Sequence, residues 1–386
     1  VIEHATTPVK SPVWVPILGL TIFAVASGYF MSVLPLTLAS HQIPNVAAGW
    51  LASIYYFGLL AGAMLIEPVI KKVGHRIAFM GFVGILASSV AFMGLTSTLG
   101  LWMASRFVAG FAVAGIFVVI ESWLLIGDSK EERAKNLGLY MTSLYGGTTV
   151  GQFGIGLIGA SGALPFIATV TLLIVAMIPA MTAKQANPAQ EEHVSLSFQQ
   201  IMALSKPALI GCLVSGIVMG SIYGLLPLAL KAATNNLEQV GSLMAATVLG
   251  GMSIQPVLSK LSYRMPKTLL LALMSLLGVF AMGLVHLDNS FGVQIVALAL
   301  LGMSAFALYP IAITLACDGL ESASIVSATQ IMLFSYSVGS AFGPVVANYL
   351  MHTETGLTGF FFAVLLATAM YMLMVSLRTK PTALAQ

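Results

Sequence analysis

The sequence predicts an all-α integral membrane protein, with twelve transmembrane helices arranged as two pseudo-symmetric six-helix bundles. Three observations lead there. Of 386 residues, 58 % are apolar and only 8 % charged, against roughly 25 % charged in an ordinary soluble domain. The apolar residues fall in runs long enough for helices of about 20 residues. A shift of 192 residues, which carries Gly28 onto Gly220, lays the chain on itself without gaps. Sixteen basic and 13 acidic side chains cannot cover a soluble surface of this size. That excludes a cytosolic enzyme, a nucleic-acid-binding domain and a disordered chain, and a net charge of +3 gives no reason to expect a polyanionic partner.

Short polar or Pro/Gly punctuation divides the runs into spans at 13–38, 46–69, 76–96, 99–127, 134–159, 163–182, 207–230, 239–262, 268–287, 291–317, 325–350 and 357–378. The runs are continuous rather than alternating, which excludes a β-barrel. Most connections are short, so neighbouring helices are expected antiparallel. The first run is too long for a signal-peptide core. The chain begins at Val1 rather than Met, so trimming ahead of it is expected. Cys212 and Cys317 lie in apolar runs with no metal or disulfide spacing and read as small core residues.

Basic residues set the orientation. With the N-terminus in the cytoplasm, the cytoplasmic segments hold all of the 16 Lys and Arg residues except Lys231, on the other face, and Arg106, inside span 4. Both termini are then cytoplasmic, in a bacterial-type inner membrane.

In the repeat, Leu34-Pro35-Leu36-Thr37-Leu38 falls on Leu226-Pro227-Leu228-Ala229-Leu230, with Pro35 and Pro227 expected to end equivalent spans. Gly49 falls on Gly241, Gly58 on Gly250, Gly110 on Gly302, Gly147 on Gly339 and Gly151 on Gly343. One register held through several spans marks a transporter built of two parallel repeats around a midplane cavity. The expected domains are 1–182, a polar connection 183–206, and 207–386. Within the connection, 196–204 reads as an amphipathic surface helix or as a simple tether.

The chain resembles the major facilitator superfamily. Arg106-x-x-x-Gly110 is similar to the family's span-4 motif. Lys71-Lys72-Val73-Gly74-His75-Arg76 resembles its basic loop between spans 2 and 3, with Lys71 where that loop has Asp and Glu67 where it has Gly. Gly147-x-x-x-Gly151-Gln152 is similar to the glycine-rich motif of drug–proton antiporters, with Gln152 in place of Pro; Gly343-Pro344 stands at the equivalent place in span 11. Glu121-Ser122-Trp123-Leu124 before a basic loop resembles other bacterial branches. The resemblance implies the major facilitator fold and a cavity lined by spans 1, 4, 7 and 10.

Ionisable groups within spans are costly and mark function. Two lie deep, Arg106 and Glu121, both on span 4 and roughly 22 Å apart along a helix. Glu121 reads as a proton carrier or as a cytoplasmic latch to Arg133, Arg76 or Lys71; Arg106 as a cavity charge or a structural donor to backbone carbonyls. Counting depth along antiparallel span 5 puts Tyr140 level with Glu121 and Gln152 level with Arg106. Candidate cavity groups are Tyr29, Phe30, Tyr223 and Tyr309 by the family's lining spans, with Gln152, Gln255, Gln330 and Tyr336 beside them; Tyr55 and Tyr56 read as packing. Such a wall suits an amphipathic organic solute. Lys71, Gly74, Arg76 and Arg133 are the expected cytoplasmic gate.

No Walker A string, HExxH or GxSxG occurs, and no metal or cofactor site is expected. The reading is a monomeric secondary transporter of a small organic solute, driven by protons, leaning to efflux. Uptake symport, a lipid flippase and a non-transporting sensor are the alternatives.

Overall fold

In a computed structural model, residues 13–124, 130–182, 205–262, 264–288, 290–318, 322–351 and 356–378 are described. The proposed amphipathic segment 196–204 lies outside them. Twelve long helices follow in order: α1 (Trp14–Thr37), α2 (Ala47–Leu65), α3 (His75–Leu95), α4 (Leu99–Leu124), α5 (Lys130–Ile158) and α6 (Leu164–Thr182), then α7 (Lys206–Thr234), α8 (Leu237–Leu261), α9 (Lys267–Leu287), α10 (Phe291–Cys317), α11 (Ser322–Leu350) and α12 (Gly356–Arg378).

Among the described residues, eleven of these are long and apolar enough to cross a membrane. The exception is α5. It opens with Lys130, Glu131, Glu132, Arg133 and Lys135 and continues through Thr142, Gly146, Gly147, Thr148, Thr149, Gly151 and Gln152. Its polarity follows from its place, packed along α1 on one side and lining the central cavity on another. Large apolar side chains such as Leu95, Leu157 and Leu377 stay more than four-fifths exposed, as expected where lipid replaces water.

Three expected boundaries differ by four residues, one of them the start of α5, at Lys130 rather than 134. The second span does not run through 69: α2 stops at Leu65, and a short helix, Glu67–Val73, restarts with Pro68 in its first turn. Proline has no N–H to continue α2 but suits a helix start. Gly74 then turns the chain into α3 at φ 80° and ψ 160°, a conformation essentially reserved for glycine. Pro227 does not end its span, because α7 continues to Thr234 and closes at Asn235 in the left-handed region, φ 50°.

The repeat is written into the packing. In each half the first helix packs on the fifth and sixth, the second on the fourth, and the third on the fourth and sixth. The glycines make the register visible. A Cβ on Gly58 would strike the Phe107 carbonyl, and one on Gly250 the Ala299 carbonyl. Gly110 lies on the Tyr55 carbonyl and Gly302 on that of Thr247; Gly147 lies on Thr21 and Gly339 on Leu213. Glycine and partner shift together by one register, so the same close approach of backbones is built twice.

Candidate functional site

The halves meet tightly at one end of the molecule and part at the other. At the closed end, Gly49 on α2 packs on Pro344 and Asn348 of α11, and its repeat equivalent Gly241 on α8 packs on the Gln152 carbonyl of α5. Asn348 Nδ2 donates to the Val46 carbonyl at 2.9 Å. Gly156 lies against Glu238, and Gly224 against Ala52. His41, Trp102 and Phe166 stack on the same end, with ring centroids 5.2–5.8 Å apart.

At the other end, which carries α1's start and α12's finish, the halves enclose a cavity of about 430 Å³. Seven helices line it: α1, α2, α4 and α5 from the first half, α7, α10 and α11 from the second. Each contributes residues at helical spacing, such as Phe23, Ser27 and Met31 on α1, Ala114, Val118 and Glu121 on α4, and Tyr140, Leu144 and Thr148 on α5. Seven of the chain's 11 tyrosines stand in this wall: Tyr55, Tyr56, Tyr140, Tyr145, Tyr223, Tyr309 and Tyr336. Tyr309 and Tyr336 lie 5.0 Å apart, and Tyr145 meets Phe306 edge-on at 5.4 Å, touching across the two halves.

Glu121 is the one ionisable group other than tyrosine among the lining residues. It is exposed to the cavity, and its Oε1 accepts the Tyr140 hydroxyl at 2.8 Å. The depth count therefore placed Tyr140 correctly. One residue further, Ser122 Oγ lies 2.8 Å from His75 Nε2 while donating to the backbone of α4. Of the expected latch partners, Arg76 donates instead to the Met181 carbonyl at 2.8 Å; the side chains of Lys71 and Arg133 lie outside the described residues.

Arg106 does not line this cavity. It is 2 % exposed, with Nε donating to the Leu51 carbonyl at 3.3 Å, Nη2 donating to Met31 Sδ at 3.4 Å, and its guanidinium 4.3 Å from the Tyr55 ring centre. Among the described residues no carboxylate pairs with it. It fills the layer between the cavity and the closed end, beside two water-sized voids.

The remaining candidates divide. Tyr223, Tyr309 and Tyr336 line the cavity. Tyr29 and Phe30 do not: on α1 the cavity face runs through residues 23, 24, 27, 28 and 31. Tyr29 turns away, its hydroxyl donating to the Gly159 carbonyl at 2.9 Å, and Phe30 packs edge-on against Phe166 at 5.8 Å. Gln152 is buried and donates to the Gly28 carbonyl at 2.8 Å rather than meeting Arg106. Gln255 bonds the carbonyls of Gly251 and Phe306. Gln330 is exposed one turn from Leu333, outside the lining. Tyr55 and Tyr56, expected to serve packing, and Tyr145, which the sequence did not single out, do line it. The signal for Tyr145 was the stripe 140, 141, 144, 145 and 148, which runs beside the glycines that pack on α1.

Known proteins resemble this arrangement. A model of the Major Facilitator Superfamily matches residues 17–344. The MFS-type transporter YcaD of Escherichia coli, itself described as uncharacterized, is 32 % identical over 347 residues, 88 % of this chain and 89 % of its own length. The nucleoside transporter NupG superposes with a TM-score of 0.75 at 13 % identity, over 95 % of this chain and 98 % of its own. A bacterial homologue of the human lysosomal transporter Spinster, inward-facing and occupied, gives 0.72 at 13 % over 95 % and 94 %. At these identities the two structures share the fold alone. Family match and relative together show that the chain belongs to the Major Facilitator Superfamily and is an integral membrane transporter of a small solute, not an enzyme.

Proposed function

We propose that the transporter exports a small organic solute across a bacterial-type cytoplasmic membrane in exchange for protons, working as a monomer with both termini in the cytoplasm. The observation that carries this reading is Glu121, a lone carboxylate facing the cavity and held by Tyr140. A carboxylate that must leave water each time the halves close over it is better carried neutral, so a proton accompanies the empty cavity back. The basic residues favour the same topology, which makes the open cavity cytoplasmic. The seam glycines and the Asn348–Val46 hydrogen bond hold the far side shut, and Gly74 and Arg76 belong to the cytoplasmic gate.

A thermal-shift screen of the purified protein against metabolites and drugs supplies the solute. In proteoliposomes an imposed proton gradient then drives its flux, and Glu121→Gln abolishes that flux while leaving solute–solute exchange at saturating solute. Gradient-driven flux equal to wild type in Glu121→Gln removes the carboxylate from the proton path.

A further inference from the structure

We propose that the central cavity selects organic cations, holding a quaternary, protonated-amine or phosphonium centre between the Glu121 carboxylate and the faces of the cavity tyrosines. This names the solute class of the transport reading above and rests on it.

Tyrosines in a membrane protein ordinarily gather at the two water interfaces. Here seven of 11 converge on one cavity instead. Their ring faces carry negative electrostatic potential and attract cations, more strongly where water is excluded. Tyr309 and Tyr336 are tilted 58° to each other at 5.0 Å, so the pair cannot stack shut. The charge inventory has the same sign: among the lining residues there is one carboxylate and no Lys, Arg or His. The nearby cation, Arg106, is sealed behind the Tyr55 ring.

The amides argue against a neutral polyol. Such a solute needs many fixed donors and acceptors, yet Gln152 and Gln255 are spent on backbone carbonyls and Gln330 stands outside the wall. An anion would meet ring faces and a carboxylate. The volume of about 430 Å³ falls in the range of small-molecule sites, roughly 300–1,000 Å³.

The test is equilibrium binding to the full-length protein in detergent, which needs no transport. Tetraphenylphosphonium and tetraphenylborate have nearly the same shape and opposite charge. Titrated calorimetrically, with empty micelles subtracted, the cation is expected to bind saturably and at least about tenfold more tightly than the anion. Glu121→Gln, which keeps a partner for Tyr140, is expected to weaken the cation about tenfold or more. Tyr336→Phe keeps the ring and should stay within about twofold, whereas Tyr336→Leu should lose about five- to thirtyfold, the span of a desolvated cation–π contact. Melting curves confirm that each variant is folded. Equal binding of the two ions, preference for the borate, or no saturable cation binding overturns the proposal. None of these results touches the transport reading, which proton-driven flux of a screened solute tests separately.

Discussion

Tyr140 on α5 and Glu121 on α4 are joined by a 2.8 Å hydrogen bond inside the cavity, so the one acid in the wall is held by a neighbouring helix of the same half. The bond fixes the carboxylate's direction without neutralising it. Tyr140→Phe is therefore expected to slow gradient-driven flux about tenfold to a hundredfold, short of the loss in Glu121→Gln, because a hydrogen bond to a charged group contributes about 1.5–3 kcal/mol. A Tyr140→Phe variant as inactive as Glu121→Gln in the same flux assay would move the essential function from the acid to the phenol.

Arg106 is expected to matter for stability first. Its buried guanidinium is satisfied by one carbonyl, one thioether and one ring face. Arg106→Ala leaves these without a partner and opens a void, at a cost on the order of 2–5 kcal/mol. Arg106→Lys keeps the charge but loses the planar stack and should fall between. Thermal unfolding in detergent reads the order wild type, Lys, Ala; an Ala variant that melts with wild type contradicts the role.

The glycines separate packing within a half from closure between halves. Gly110→Ala and Gly302→Ala each drive a Cβ into a carbonyl of the same half. Overpacking of this kind costs about 1–3 kcal/mol or more, read as a lower melting temperature. Gly49→Ala and Gly241→Ala instead wedge the seam, where the added Cβ would come within 2.7 Å of the Pro344 and Gln152 carbonyls. These should leave each half intact and favour the state with this end open, raising labelling of a cysteine placed at Tyr223 by a membrane-impermeant reagent added on the side of this end. Seam variants that melt early yet show unchanged labelling would make the seam a static interface.

Proton exchange predicts a pH dependence with a definite sign. If a cation and a proton compete for Glu121, each lowers the other's affinity by the same factor. Cation affinity then rises with pH up to a plateau where the carboxylate is fully ionised, and Glu121→Gln is flat over the same range. Tyr140, whose hydroxyl donates to this carboxylate, is the other titratable group bonded to it. A wild-type affinity that falls as pH rises reverses the sign and dismisses the competition.

Much of this was legible in the sequence, for identifiable reasons. The 192-residue register gave the pairing of Gly110 with Gly302 because close backbone approach tolerates no other residue there, and both copies kept it. Glu121 and Tyr140 were matched because depth follows from rise per residue alone. Rotation about the helix axis is not fixed by depth, and the misplaced aromatic residues are errors of rotation: Tyr29 and Phe30 fall beside the cavity stripe of α1, while Tyr145 falls on that of α5. The glutamines were misread for another reason. An amide inside a membrane bundle must satisfy its own hydrogen bonds, and Gln152 and Gln255 do so on carbonyls of neighbouring helices, those of Gly28 and Phe306.

The most direct measurement is of distance across both ends of the molecule at once. In a background with Cys212 and Cys317 replaced, spin labels at Val46 and Tyr349 report the closed end, and labels at Lys72 and Lys260 report the cavity end. Rigid-body rocking of the halves predicts that solute and a change of pH redistribute the two pairs in opposite directions, the Val46–Tyr349 distance lengthening as Lys72–Lys260 shortens. Distances that stay fixed under every condition, or that change in the same direction, would contradict alternating access about this cavity.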